Sequence, residues 1–298
     1  MGGRCLTMKP APFNLFRPRS LDEALGLLQS YRDEAKVLAG GQSLVPLMNF
    51  RLAQPHNLID LNGVEGLDRI KIEDRTLSLG AMVRQRDVEQ SPLIAERLPI
   101  LREAIEQVAH PAIRNRGTVG GSLVHADPAG ELPLLSIALD AIFHLRSARQ
   151  RRSVAARDFY QGYLVTDIAP DELLVEIDFC LPPPGSGGCC TEIARRHGDF
   201  AIVAVAVLLG CGRDRRIDFA RVALGGVGPA PVRAAAAEEA LMGMKPGPDL
   251  YRRAGDAAGK AVDPPADIHA SAAYRRHLTG VLVRRALATA ASRVKGQA

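Results

Sequence analysis

Two glycine-rich stretches constrain this 298-residue chain more than any other feature of its sequence. The first, KVLAGGQSLVP at residues 36–46, is an apolar run stopped by two glycines, which predicts a strand that ends in a tight turn. The second, GTVGGSLVHADPAGELP at residues 117–133, carries another pair of glycines. Backbone amides at such turns can converge on an anion, and glycine, which lacks a Cβ atom, lets a phosphate approach the main chain. We therefore expect the two stretches to form two halves of one phosphate cradle.

Polar side chains in both stretches would add hydrogen-bond donors to this cradle. Gln42 and Ser43 follow the first glycine pair, and Thr118 and Ser122 flank the second. A diphosphate needs more donors than one turn supplies, so two facing loops favour that ligand. For either loop alone, a simple turn without any ligand is the alternative. The sequence contains no G-x-G-x-x-G, and GDAAGK at 255–260 is too short for a P-loop, so Rossmann and P-loop sites are disfavoured.

His125, Asp127 and Glu131 lie within the second stretch and raise the question of acid–base or metal chemistry. A lone H-x-D pair has little specificity for a metal, and no third ligand stands at a suitable spacing. We expect the His125 ring to bond the loop backbone, while Asp127 shapes the turn into the next helix. Glu131 would then lie in the first turn of that helix, where a carboxylate complements the helix dipole, or would face a cofactor ribose. We assign no catalytic residue and no metal ligand.

The composition excludes several classes of function. The net charge of +5 is spread over the chain, only 4% of residues are aromatic and Trp is absent, so we expect no nucleic-acid partner. The five cysteines form no C-x-x-C pair, which argues against an iron–sulfur or zinc framework and favours a reducing compartment. We see no secretory signal at the N-terminus. The longest apolar run, residues 200–211, is about half of the roughly 20 residues that span a bilayer, so we expect a buried strand and a cytoplasmic protein.

Periodicity along the chain predicts an α+β protein. A capping box at Ser20 and Glu23 starts a helix at 20–31. The stretch 91–108 is helical, and Pro99 must start a new helix there or bend the old one. The other predicted elements are strands at 36–41, 57–61, 76–83, 171–182 and within 200–211 and 217–228, a helix-to-strand run at 131–147, and helices at 232–243 and 272–290. The segment PPPGSGGCC predicts a linker at 182–188. Domains are therefore expected at 8–181 and at 189–292.

Four signatures in order resemble one known family, the FAD-binding medium subunits of molybdenum hydroxylases, which include aerobic carbon monoxide dehydrogenase and bacterial xanthine dehydrogenases. They are AGGQSLVPLMNFRLAQPHNLIDL, IRNRGTVGGSLVHADPAGELP, ARRHGDFAIVAVAV and RVALGGVGPAPVRA. The resemblance covers most of the chain. It implies an FAD-binding domain of two α/β subdomains, at about 8–62 and 63–181, of the type found in p-cresol methylhydroxylase and vanillyl-alcohol oxidase. A small α+β C-terminal domain, similar to that of the carbon monoxide dehydrogenase flavoprotein, would follow.

The resemblance also implies which residues contact a non-covalently bound FAD. Glu192 stands where some relatives have Lys, so its local charge is reversed. Matching the family positions onto this sequence gives Val37, Leu38, Ala39, Gly40, Gly41, Gln42, Ser43, Leu44, Val108, Thr118, Gly120, Gly121, Ser122, Glu131, Leu174 and Glu192.

The family's partners follow from the same resemblance. A large subunit with a molybdenum–pterin cofactor and a small subunit with two [2Fe–2S] clusters would deliver electrons to FAD in this chain, in a dimer of heterotrimers. FAD would pass them to an external acceptor. Two alternatives stay open: a stand-alone FAD-dependent oxidoreductase, and a binding protein that has lost FAD. The intact glycines argue against the second, and the small C-terminal domain leaves little room for the substrate pocket that the first requires.

Overall fold

The structure, a computed structural model, describes residues 8–295. Its first unit is a parallel three-stranded sheet with strand order β1-β3-β2. Ser20 caps the first helix, because its Oγ accepts from the amide of Glu23 at 3.2 Å, as the capping box predicted. The elements of this unit are β1 Asn14–Phe16, α1 Leu21–Tyr31, β2 Ala35–Leu38, α2 Leu44–Asn49 and β3 Asn57–Asp60.

The second unit is built on an antiparallel five-stranded sheet with strand order β4-β5-β10-β6-β7. As predicted, Pro99 starts a new helix, since α4 ends at Arg97 and α5 begins at Pro99. The elements are β4 Ile70–Glu73, β5 Thr76–Gly80, α3 Gln85–Gln90, α4 Pro92–Arg97, α5 Pro99–Gln107, α6 Pro111–Arg114, α7 Val119–His125, α8 Glu131–Ala138, β6 Ile142–Arg146, β7 Arg151–Ala155, α9 Ala156–Phe159, β8 Tyr160–Gly162, β9 Val165–Thr166 and β10 Leu173–Cys180.

One face of this second sheet is apolar and the other is polar. Alternate residues of its strands, among them Leu77, Phe143 and Phe179, are fully buried beneath the helices. The residues between them, including His144 and Asp178, point to the opposite face, because successive side chains of a strand alternate. The helices of this unit therefore cover the apolar side.

The third unit is an antiparallel sheet covered by three helices. Its central strand is buried on both faces: Val205 and Val207 pack under the helices, while Ala204 and Ala206 pack on the second unit. The predicted buried strand within 200–211 is thus confirmed as β12. The elements are β11 Gly187–Ile193, β12 Val203–Cys211, β13 Ile217–Gly225, β14 Val232–Arg233, α10 Ala235–Leu241, α11 Pro248–Lys260 and α12 Ala272–Arg293.

The structure differs from the sequence expectations at three places in this unit. Residues 232–233, expected within a helix at 232–243, pair with β13 as strand β14, and the helix begins at Ala235. Strand β11 begins at Gly187, inside the predicted linker, where a Cβ atom would collide with the Ala290 carbonyl of α12. Glycine thus permits a close strand–helix contact here instead of breaking the strand. Helix α11 was missed altogether, and the segment 255–260, considered as a P-loop fragment, lies inside it.

The α+β fold class is confirmed. The domain limits at 181 and 189 stay a prediction. No helix within residues 8–295 is both long enough and apolar enough to cross a bilayer. Cys5 and the predicted absence of a secretory signal concern residues at the N-terminus, outside those that the structure describes.

Candidate functional site

The first glycine loop presents a row of unused amides. It leaves the end of β2 and enters α2, and Gly41 has a φ of +75°, a left-handed conformation that favours glycine. Inside the loop, the Gln42 side chain donates to the Gly40 carbonyl at 2.8 Å. Within the described part of the chain, the amides of residues 40–44 donate to no protein acceptor. Five consecutive N–H groups are therefore free for an external anion.

The second glycine loop has a different hydrogen-bond pattern. Thr118 caps α7, its Oγ1 accepting from the Gly121 amide at 3.0 Å. The Gly120 amide donates to the Ala81 carbonyl at 2.9 Å, and the Ser122 amide to the Thr118 carbonyl at 3.1 Å. We expected free amides in both loops, but in this one they are engaged within the protein. What remains for a ligand is the hydroxyl hydrogen of Thr118 and that of Ser122.

The two loops lie against each other, as the cradle hypothesis requires. A Cβ atom built on Gly40 would collide with the Arg116 carbonyl, and one built on Gly121 would lie 3.6 Å from the Ala39 Cβ. These glycines thus permit backbone-to-backbone contact between the loops. We had expected an added side chain to fill the space of the phosphates, but it would first collide with the protein itself.

A clasp formed by Asn62 and Arg84 joins the loops. The Asn62 amide donates to the Ala39 carbonyl at 3.0 Å and its Oδ1 accepts from Arg84 at 2.5 Å. The same guanidinium also donates to the Arg116 carbonyl. Burial, and then the neighbouring Arg116, lower the pKa of Arg84. Sequence reasoning missed both clasp residues, because no motif marks them.

The remaining predicted positions lie on the elements next to the loops or connected with them. Val37 and Leu38 belong to β2 itself, and the Val108 carbonyl accepts from Arg114 at 2.8 Å at the end of α5. Leu174 is buried on β10 beside a bulge. The next residue of that strand, Val175, accepts from the Ala81 amide, and Ala81 in turn contacts the second loop. The structure therefore links Leu174 to the second loop through Val175 and Ala81.

Glu131 and Glu192 form a second group, at the junction of α8 and β11. Burial, with a smaller contribution from Asp127, raises the pKa of Glu131 to about 7. Burial and then the charge of Glu131 raise the pKa of Glu192 to about 8. Two half-buried carboxyl groups that disfavour each other's charge can hold protons near neutral pH. Glu131 is the first residue of its helix, as predicted.

Asp127 has contacts that indicate a structural role, whereas His125 differs from the expectation. The Asp127 carboxylate accepts from the Ala129 amide at 2.9 Å and so shapes the turn before α8, as expected. The expected bond from the His125 ring to the loop backbone is wrong, because the ring makes no hydrogen bond within residues 8–295.

A groove of about 830 Å³ lies away from both loops, between α5, residues 181–188 and the end of α12. We do not assign the site to this groove, since its lining includes none of the unused amides. The cradle, by contrast, offers a set of donors that fits a diphosphate. The first loop has five free N–H groups, and the second loop has the hydroxyl groups of Thr118 and Ser122.

Comparisons with known proteins agree along the chain. The family model described as FAD binding domain in molybdopterin dehydrogenase matches residues 11–182, and the one described as CO dehydrogenase flavoprotein C-terminal domain matches residues 189–290. The 6-hydroxypseudooxynicotine dehydrogenase complex subunit alpha of Paenarthrobacter nicotinovorans is 40% identical over 97% of both chains. Caffeine dehydrogenase subunit beta of Pseudomonas sp. strain CBB1 is 40% identical over 96% of this chain and 97% of the relative.

A solved structure of similar shape is carbon monoxide dehydrogenase from Hydrogenophaga pseudoflava, in a form that lacks the Mo-pyranopterin moiety of its cofactor. The TM-score is 0.93 at 38% identity, and the match covers 96% of this chain and 99% of that chain.

Proposed function

We propose, from the premise that this chain belongs to the FAD-binding medium subunits of the molybdenum hydroxylases, that the free amides of residues 40–44 hold the diphosphate of FAD. The chain is an electron-transfer subunit of an oxidoreductase, and its cofactor is FAD. The row of free amides is the observation that carries the proposal about the site.

The other side of the diphosphate would meet hydroxyl groups. Thr118 and Ser122 keep their hydroxyl hydrogens free to donate, while the neighbouring glycines let the two loops approach each other. When bound, FAD supplies the electron-carrying chemistry, and this chain supplies binding and orientation. We propose the same full set of contacts that the family resemblance implied: Val37, Leu38, Ala39, Gly40, Gly41, Gln42, Ser43, Leu44, Val108, Thr118, Gly120, Gly121, Ser122, Glu131, Leu174 and Glu192.

We further propose a large molybdenum-binding subunit and a small iron–sulfur subunit as partners, in a dimer of heterotrimers in the cytoplasm. Relatives are named as subunits of larger enzymes, which supports partners in general and disfavours the stand-alone oxidoreductase. The four cysteines within residues 8–295 are free and belong to no group of potential metal ligands there. The clusters that feed FAD would therefore lie in another chain, and the large subunit would set the substrate.

A pair of matched substitutions tests the cradle. Gly41→Val places a β-branched residue at a φ of +75° and would displace the free amides. Gly243→Val places the same side chain at a φ of +74° in an open turn far from the loops, with nothing within 4 Å of its Cβ. We expect the purified Gly41→Val chain to lose at least nine-tenths of its flavin absorbance near 450 nm, and Gly243→Val to keep it.

Circular dichroism would establish that both variants are folded. Equal flavin content in the two folded variants would contradict the assignment of the first loop to the diphosphate.

A further inference from the structure

Three potential metal ligands lie together on the polar face of the second sheet. They are His144 on β6 and Glu176 and Asp178 on β10, and one ligand atom from each lies within 4.8 Å of the other two. His144 and Glu176 are direct cross-strand partners, and Asp178 follows two residues later on the same strand. Because the three residues belong to adjacent paired strands, their relative positions are fixed by the sheet.

Two serines on the neighbouring strands orient these ligands. Ser153 on β7 lies 2.9 Å from Nδ1 of His144, and Ser78 on β5 donates to Oδ1 of Asp178 at 2.5 Å. Outer hydrogen bonds of this kind hold metal-binding side chains in place in known sites. In the zinc-bound form Nδ1–H would donate to Ser153, which leaves the lone pair of Nε2 for the metal.

The charges of the cluster are unbalanced. Nε2 of His144 lies 2.8 Å from Oδ2 of Asp178, so the imidazole is already paired with one carboxylate. The half-buried Glu176 side chain makes no hydrogen bond or ion pair within the described residues, although it faces the same imidazole. Two carboxylates on one face of a strand repel each other. A pairing of His144 with Asp178 alone thus leaves Glu176 unexplained, whereas a divalent cation would compensate both acids.

We propose that His144, Glu176 and Asp178 form a binding site for Zn²⁺, with water completing the coordination sphere. Imidazole nitrogen and carboxylate oxygen are ligands that Zn²⁺ accepts in tetrahedral sites. The side chains of His144 and Asp178 are 32% and 28% exposed, so ion and water can reach them. Zinc ligands at about 2.0 Å from the metal lie about 3.3 Å apart, so the histidine and aspartate need to separate by only a few tenths of an ångström.

Calorimetric titration of the full-length, FAD-loaded chain with Zn²⁺, after metal removal by a chelator, tests this site. We expect one equivalent to bind with a dissociation constant in the micromolar range or tighter. Glu176→Gln keeps the shape of the side chain and removes its charge, and should weaken binding at least tenfold. Ser153→Ala removes the outer partner of the histidine and should weaken binding about tenfold. His277→Ala, at an exposed position of α12, is the matched control and should bind as wild type.

Zinc-edge X-ray absorption of the loaded chain identifies the ligands. A shell of nitrogen and oxygen with an imidazole signature supports the proposal. Sulfur in that shell would assign the metal to a cysteine, such as the exposed Cys180, and would overturn it. Unchanged affinity in both Glu176→Gln and Ser153→Ala, or no binding by wild type at 100 µM zinc, would overturn it as well.

Discussion

Arg84 holds the two glycine loops at a fixed separation. Its guanidinium reaches the second loop through the Arg116 carbonyl and the first loop through Asn62. The planar group of arginine can donate in two directions at once, which a lysine ammonium on a flexible stem does poorly. The residue therefore organises the cradle without belonging to either loop.

Replacing Arg84 by Lys should weaken FAD binding while the chain stays folded. Hydrogen bonds to charged groups contribute about 1.5–3 kcal/mol each, and these are partly exposed, so we expect a loss of about 1–2 kcal/mol. That corresponds to a dissociation constant roughly 5- to 30-fold higher, measured by flavin fluorescence titration. Asn62→Ala should act in the same direction. Wild-type affinity in both variants would show that the clasp does not position the loops.

The sequence predicted the residues whose role is local and missed those whose role depends on distant contacts. The glycine pairs and the helix cap at Ser20 were predicted, because turn and cap chemistry are set by neighbouring residues. Arg84 lies 32 residues from Arg116, and no local pattern relates them. The same limit explains why free amides were expected in the second loop, where Ala81 takes one of them.

At the scale of elements, glycines let α11 and α12 cross at short range. A Cβ atom on Gly255 would lie 2.5 Å from the Gly280 carbonyl oxygen, so the two backbones are in direct contact there. This contact explains why α11 was not predicted. Its two glycines and two aspartates lower helix propensity, and packing against α12 overrides that preference.

Two glycine-to-alanine changes in helix interiors should have opposite effects. Gly26 of α1 has nothing within 4 Å of a built Cβ, so Gly26→Ala should raise the free energy of unfolding by about 0.5–1 kcal/mol. Gly255→Ala forces α11 away from α12 and should lower it by about 1–3 kcal/mol. Urea unfolding followed by circular dichroism measures both. A stabilising Gly255→Ala would contradict the close crossing.

At the scale of the whole molecule, the junction between the second and third units carries two carboxyl groups with raised pKa values, Glu131 and Glu192. Both values lie above the ordinary value of 4.5, so the folded chain binds these protons more tightly than the unfolded chain does. The resulting stabilisation is complete below about pH 4.5 and is lost as the pH rises through about 7 and about 8.

Glu192→Gln should therefore flatten the pH dependence of stability. The amide resembles the protonated acid, so relative to wild type the variant should gain on the order of 1–2 kcal/mol between pH 5 and pH 8.5. Urea unfolding of the FAD-loaded chains across this range provides the measurement. Glu73→Gln, at an exposed position of β4, is the control. Parallel profiles for wild type and Glu192→Gln would contradict the charge coupling at the junction.

Many of the longer strands and helices were predicted, but most of the short ones and the association of the units were not. Periodicity gave β12 as a buried strand, and the structure shows why its alternating Val and Ala residues differ. The valines pack beneath helices of their own unit, while Ala204 and Ala206 accept the second unit. Small residues on one face of a strand do not by themselves predict which element packs closely against that face.

The burial of β12 on both faces limits how the C-terminal segment can be separated from the chain or exchanged between relatives. Separated from the second unit, the C-terminal segment would expose Ala204 and Ala206 to water as an apolar face prone to self-association. Transfer of that segment to a relative would succeed only where α5 and α8 of the recipient form a complementary surface. In an exchange between such chains, the face of β12 and the surface on which it packs would therefore have to be transferred together.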